Sequence, residues 1–130
     1  MWTKEQLKES LSSVEMAINI QTEVNPDNPS SHINKLNTIS NVMGLAVKCV
    51  GEGEALYTSS LSKETAEIML SLPNIGSNER KIFVNGKMGE YIELYTRADK
   101  LNKALKDCSD NLRTLISYAK HELNLTKEMD

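Results

Sequence analysis

The residues of this chain that could bind a metal or act as acid–base catalysts are few and widely spaced. Its two histidines, His32 and His121, have no Cys, Asp or Glu neighbours at the spacing of a metal site. Glu90 and Glu93 share a helical turn, but the Glu-x-x-His pairs of di-iron bundles are missing, and Glu93 is better placed to pair with Arg97. The sequence therefore predicts no enzyme activity, no metal and no cofactor.

Basic side chains near the carboxyl end suggest a different chemistry, the binding of phosphate groups. Such a group would supply roughly four to six phosphate contacts and bind nucleic acid in a salt-dependent way. Three aspartates alternate with these cations, so a solvated helix face is the alternative interpretation. The candidate nucleic-acid-binding residues of this group are Arg97, Lys100, Lys103 and Lys106, with Arg113 and Lys120 further along the chain.

The composition limits the possible partners. Fifteen basic and eighteen acidic residues give a net charge of −3, which provides no overall attraction to a phosphate backbone. The longest apolar run, Val42 to Val47, is far shorter than a membrane span, and the amino terminus lacks the pattern of a signal peptide. We therefore expect a cytoplasmic protein without a membrane partner. Cys49 and Cys108 lie on apolar stripes, which favours buried thiols, with a disulfide or redox role as the alternative.

The elements that position these residues are helices, since apolar residues recur at spacings of three and four. The longest such row, the seam, would bury a narrow stripe against a neighbouring helix, as in a coiled coil. We expect it to pack against other helices and to contribute to contacts with copies of this chain or with a protein partner. The seam consists of Tyr91, Leu94, Ala98, Leu101, Leu105, Cys108, Leu112, Leu115 and Ala119.

These patterns predict an all-α fold, an antiparallel bundle of three to four helices in one domain over residues 1–130. The helices are expected over about residues 4–24, 31–59, 63–72 and 78–125. Thr3 and Gln6 form the pattern of a capping box, and Leu7, Leu11 and Val14 mark the apolar face of the first helix. That helix should end before the prolines at positions 26 and 29.

Three local points stay open. The second helix either ends near residue 59 and restarts near Ser62, or continues through this segment. Asn85 and Gly86 are typical of a tight hairpin, so residues 80–89 form either a hairpin or part of the last helix. We expect Gly44 to permit close helix packing and the segment from Gly51 to Gly53 to weaken its helix.

Two segments resemble the small recombination mediator proteins of T4-type bacteriophages. The matching residues are Asn34, Lys35, Ile39 and Met43 in the central helix, and Asp107, Cys108, Ser109, Leu112, Leu115 and Ser117 in the last helix. The resemblance implies a non-enzymatic, ring-forming oligomer in a bacterial or phage-infected cell. Such an oligomer binds single-stranded DNA and helps load a recombinase past a single-strand-binding protein.

The chain departs from that family at the residues that would contact DNA. A basic Lys and Arg pair on the family's central helix corresponds here to the acidic stretch from Gly51 to Glu54, and a run of tyrosines is reduced to Tyr57. Lys48 is the nearest substitute for the basic pair. The alternative function is therefore a small helical adaptor or inhibitor that binds a protein partner without nucleic acid.

Overall fold

A computed structural model describes residues 1–19 and 29–129, and within these ranges the chain forms four helices. They are α1 (Lys4–Asn19), α2 (Pro29–Ser71), α3 (Ser77–Lys87) and α4 (Gly89–Met129). The all-α prediction, with a long carboxy-terminal helix, is confirmed. The predicted extension of the first helix to residue 24 lies outside the described residues.

The start of α1 is fixed by the predicted capping box. The main-chain N–H of Thr3 donates to Gln6 Oε1 at 2.9 Å, and the N–H of Gln6 donates to Thr3 Oγ1 at 3.2 Å. Each bond satisfies a donor that has no partner within the first helical turn. The helix therefore begins directly after Thr3, and its face carrying Leu7, Leu11 and Val14 is fully buried.

The long helix α2 continues through the segment where a restart was considered. The prediction of separate helices over residues 31–59 and 63–72 is wrong, and the alternative of one helix is confirmed. The hydroxyl of Thr65 donates to the carbonyl of Leu61 at 2.7 Å, a bond made inside a helix rather than at a cap. Leu61 also packs with Ile68 in one cluster, so a single helix face continues across this segment.

The glycines of α2 differ from their expected roles. A Cβ added to Gly44 or Gly51 would meet no atom within 4 Å, so the prediction that Gly44 permits close packing is wrong. The close approach occurs at Gly53, where an added Cβ would lie 3.6 Å from Tyr95 Cα and 3.7 Å from Leu7 Cδ2. The segment from Gly51 to Gly53 stays helical, so the predicted weak point causes no break.

Substituting Gly44 with Ala should raise the free energy of unfolding by about 1 kcal/mol, because alanine restricts the unfolded chain and nothing obstructs its Cβ. Urea denaturation followed by circular dichroism measures the change. Gly53→Leu is the matched comparison and should destabilise the fold, because atoms beyond Cβ would meet Tyr95 and Leu7. A destabilised Gly44→Ala variant would contradict the open space described around this residue.

The helix expected over residues 78–125 is divided at Met88 into α3 and α4, so its prediction as one element is wrong. The hairpin alternative for residues 80–89 is also wrong, because Asn85 and Gly86 lie within α3. Val84 and Met88, four residues apart, are both buried against Ile68 of α2. Burial of residues at this spacing favours a helix, since it requires one continuous helix face.

The helices pack as a long hairpin with α1 along part of it. Tyr57 of α2 stacks on Tyr95 of α4 with ring centroids 6.3 Å apart, and Glu64 of α2 lies 3.5 Å from Lys87 of α3. Helix α2 therefore runs antiparallel to α3 and α4. At 1.5 Å per residue, α2 is about 65 Å long and α1 only about 24 Å. The short helix thus covers less than half of the hairpin.

Two apolar clusters hold this arrangement together. The larger lies among α1, α2 and α4, and the smaller joins α2 and α3 and includes Met88. Residues of the larger cluster include Leu7, Leu11, Val14, Ile39, Ala46, Cys49, Leu94, Ala98, Leu105 and Leu112. The smaller cluster is built on Ile68, Val84 and Met88, with Tyr57, Leu61, Ile75 and Tyr91 packed against it.

Candidate binding surfaces

The seam of α4 packs mainly inside the chain. Leu94, Leu105 and Leu112 are at most 5% exposed and belong to the larger apolar cluster. Tyr91, Leu101, Cys108 and Ala119 are partly buried, and of the seam residues only Leu115 is exposed, at 46%. A partner or a second copy would therefore have to contact other residues unless the helices separate.

The two cysteines are free thiols, Cys49 buried and Cys108 partly buried. Burial raises the pKa of the Cys49 thiol, which keeps it protonated and unreactive. Its position among Leu7, Ile39 and Leu105 in the larger cluster is that of a small apolar side chain.

Two of the main candidate DNA-binding residues are engaged by the amino-terminal segment; the five main candidates are Lys48, Arg97, Lys100, Lys103 and Lys106. Arg97 donates to Glu15 of α1 at 2.6 Å, so its predicted pairing with Glu93 is wrong. The ammonium of Lys48 lies over the Trp2 ring, 5.0 Å from its centroid, and the main-chain N–H of Trp2 donates to Glu52 at 2.9 Å. Both cations are therefore less available to a phosphate than the sequence suggests.

The other three candidates, Lys100, Lys103 and Lys106, are exposed on α4 and make no ion pair within the described part of the chain. Lys103 precedes the buried Leu105 by two residues, which places it about 160° around the helix from the core. Asp99, Asp107 and Asp110 are also exposed on this helix. The three lysines form what we call the lysine strip.

Ion pairs clamp α1 to the first turn of α4. Lys4 and Lys8 donate to the two oxygens of Glu90 at 3.0 and 2.7 Å, and Lys4 also lies 5.4 Å from the Tyr91 ring centroid. Hydrogen bonds from Lys8 and Lys4 hold the pKa of Glu90 below its ordinary value. The hydrogen bond to Glu90 raises the pKa of Lys4.

The ion pairs of Glu90 with Lys4 and Lys8, which we call the Glu90 clamp, should make the melting temperature depend on pH. Because the folded-state pKa of Glu90 is depressed, its stabilising effect is present above the ordinary value of 4.5 and is lost as pH falls through the lower folded value. We expect Glu90→Gln to lower the melting temperature at pH 7 and to approach the wild type in acid. Scanning calorimetry from pH 7 to pH 3 tests this.

The control for this pH series is Glu9→Gln, since Glu9 is an exposed α1 residue whose side chain makes no ion pair in the described chain. Its melting temperature should differ little from the wild type at any pH. A constant difference between Glu90→Gln and the wild type down to pH 3 would contradict the clamp.

Apolar side chains remain exposed where α2 meets α3. Leu70 is 84% exposed and Ile82 is 70% exposed. Each lies two residues from a buried neighbour, Ile68 or Val84, and so points to the outer side of its helix. We call this set the apolar tip, and it consists of Met69, Leu70, Leu72, Ile82 and Phe83. The apolar tip was not predicted from the sequence, although Leu70 and Ile82 lie off the buried stripes of their helices and could have indicated it.

A cleft of about 350 Å³ opens between α2 and α3. Its walls carry both apolar and cationic side chains, from Leu61 and Thr65 on one helix and Arg80, Lys81 and Val84 on the other. Arg80 is partly buried, and its Nε has no hydrogen-bond partner. The cleft is therefore a concave site with a cation that lacks a counter-ion, and sequence analysis did not single it out.

The histidines remain apart from any cluster of ligands. His32 is 1% exposed in α2, with no hydrogen bond to Nδ1, and His121 is exposed on α4. Among residues 1–19 and 29–129, no three His, Cys, Asp or Glu side chains lie close enough to hold a metal ion. None of the described helices combines the length and apolarity needed to cross a membrane.

Comparison with protein-family models, curated proteins and solved structures found no match for this chain.

Proposed function

We propose that this chain is a non-enzymatic helical protein that assembles with copies of itself through the apolar tip. The observation that carries the proposal is the exposure of Leu70 and Ile82, at 84% and 70%, on the outer sides of α2 and α3. Burying two such side chains would contribute roughly 3–6 kcal/mol per copy. Exposed apolar area of this kind is typical of a protein interface.

Self-association is favoured over other uses of the tip for a geometric reason. In a ring, one apolar surface of each copy meets a different surface of the next copy, so each copy supplies both sides of a heterologous contact. Apolar residues on both outer sides of the tip allow one copy to contact two neighbours, which is what a ring requires. The resemblance to phage recombination mediators, which form rings, points in the same direction.

Light scattering on eluted protein tests assembly through the tip. The double variant Leu70→Lys/Ile82→Lys should elute as a monomer, because it places charges in the proposed contact. Its circular dichroism spectrum should be unchanged, because both side chains are exposed. Met16→Lys is the control, since Met16 is 66% exposed but lies on α1. Equal masses for the wild type and the double variant would contradict assembly through the tip.

The more specific form of this proposal is single-stranded DNA binding by the lysine strip in an assembled mediator. Three exposed lysines over seven residues of α4 provide few phosphate contacts in one copy, but assembly would repeat the strip and raise the effective affinity. The recombinase and the single-strand-binding protein would then be further partners. We expect fluorescence anisotropy of a labelled oligonucleotide to rise with protein and to weaken steeply with salt.

Matched charge reversals distinguish specific from general attraction. Lys103→Glu should weaken DNA binding, whereas Lys63→Glu on α2 changes the net charge equally and should have little effect. Equal losses for both variants would contradict a strip on α4.

The second candidate is a small adaptor or inhibitor that binds a protein partner without nucleic acid. It is favoured by Asp99, Asp107 and Asp110, which are exposed beside the lysine strip and reduce its positive charge. Flat anisotropy at micromolar protein in low salt, together with loss of assembly in the tip variant, would favour the adaptor over the mediator.

A further inference from the structure

The cleft between α2 and α3 contains more positive charge than the surrounding residues neutralise. Arg80 and Lys81 both line it, and neither makes an ion pair among the residues that the structure describes. Glu64, which lies between Leu61 and Thr65 on α2, is 3.5 Å from Lys87, an ion pair in which its buried Oε2 accepts no hydrogen bond. The two cations in the cleft therefore lack a carboxylate partner within the described chain.

The guanidinium of Arg80 shows this deficit most clearly. Its Nε is fully buried and has no hydrogen-bond acceptor. A buried polar group without a partner is costly, and a cation more so, unless an anion or water supplies the missing bonds. Arginine presents its N–H groups as a planar fork that fits the oxygens of a phosphate or carboxylate. An oxyanion in the cleft would supply a hydrogen-bond acceptor to this side chain.

We propose that this cleft binds a small organic phosphate. Arg80 and Lys81 neutralise the phosphoryl group, and Ser77 and Asn85, which also line the cleft, add hydrogen-bond donors. At about 350 Å³ the cleft is larger than a phosphate ion needs and falls within the range of small-molecule sites. Leu61 and Val84 form an apolar wall, so the phosphoryl group should be attached to a compact apolar body.

Isothermal titration calorimetry with three probes tests the site. Phenyl phosphate carries both features, inorganic phosphate carries only the charge, and phenol carries only the apolar ring. We expect phenyl phosphate to bind more tightly than inorganic phosphate and phenol to show no measurable binding. Equal affinity for phenyl and inorganic phosphate would overturn the apolar part of the proposal, and no binding of either at millimolar concentration would overturn it entirely.

A pair of arginine substitutions locates the binding. Arg80→Gln should weaken phenyl phosphate binding by at least about tenfold, since it removes a charged hydrogen-bond donor. Arg113→Gln removes an exposed arginine of α4 and should leave the affinity unchanged. Equal affinities for the wild type and Arg80→Gln would overturn the assignment, as would equal losses in both variants.

Two further measurements separate this site from folding and from assembly. In the wild type, the NMR signal of Arg80 Nε–H should shift during the phenyl phosphate titration, which requires no variant to fold; an unmoved signal would overturn the proposal. A neutral tip variant, Leu70→Gln/Ile82→Gln, should keep the wild-type affinity, because neither residue lines the cleft and the net charge is unchanged. The phosphate site thus stands or fails independently of assembly through the tip.

Discussion

Replacing Leu105 with Asp is expected to unfold the protein at room temperature. Leu105 is 0% exposed and packs in the larger apolar cluster among α1, α2 and α4. The substitution removes an apolar side chain and buries a charge without a partner, which together cost more than about 4 kcal/mol. This is comparable with the total stability of a small domain, about 5–15 kcal/mol. Loss of the helical circular dichroism signal at 25 °C would record the unfolding.

The control for Leu105→Asp is the neighbouring substitution Ala104→Asp. Ala104 is exposed, so the same new charge stays in water and should change stability by only about 0.5 kcal/mol. Similar melting temperatures for the two variants would contradict the placement of the seam inside the chain.

Replacing Met88 with Ala should lower the free energy of unfolding by about 3 kcal/mol. Met88 is 0% exposed between α3 and α4 and forms the smaller cluster with Ile68 and Val84. Truncation leaves a cavity where three elements meet, and such cavities cost about 2–5 kcal/mol for methionine. Urea denaturation should show a lower midpoint with an almost unchanged slope.

Ile82→Ala provides the comparison for Met88→Ala, because Ile82 is 70% exposed on α3. Its stability should stay close to that of the wild type when both are measured as monomers. A larger decrease in the free energy of unfolding for Ile82→Ala than for Met88→Ala would contradict the burial of Met88 and the exposure of Ile82.

The buried faces of the helices could be predicted because periodicity is a local signal. Leu7, Leu11 and Val14 share one face through their spacing alone, and this face is buried. The same reasoning identified Leu94, Leu105 and Leu112 as a buried stripe. Periodicity does not show which helix covers a stripe. The seam was therefore considered for contacts with partners, whereas in the structure it packs mainly within the chain.

The partner of Arg97, the apolar tip and the cleft could not be predicted because they depend on contacts between distant residues. Arg97 was expected to pair with Glu93, four residues away, but the packing of α1 brings Glu15 closer. The apolar tip is exposed because α1 covers only part of the hairpin, and relative coverage cannot be read from either helix separately. The cleft beside Arg80 likewise requires the turn that brings α3 back onto α2.

Sedimentation velocity of the wild-type protein across a range of concentrations is the most direct test of assembly through the apolar tip. We expect a mass that is a multiple of the 14.5 kDa chain, and the mass of a single chain for the Leu70→Lys/Ile82→Lys variant. A wild-type mass of one chain at every concentration would contradict self-assembly and leave the tip without its proposed role.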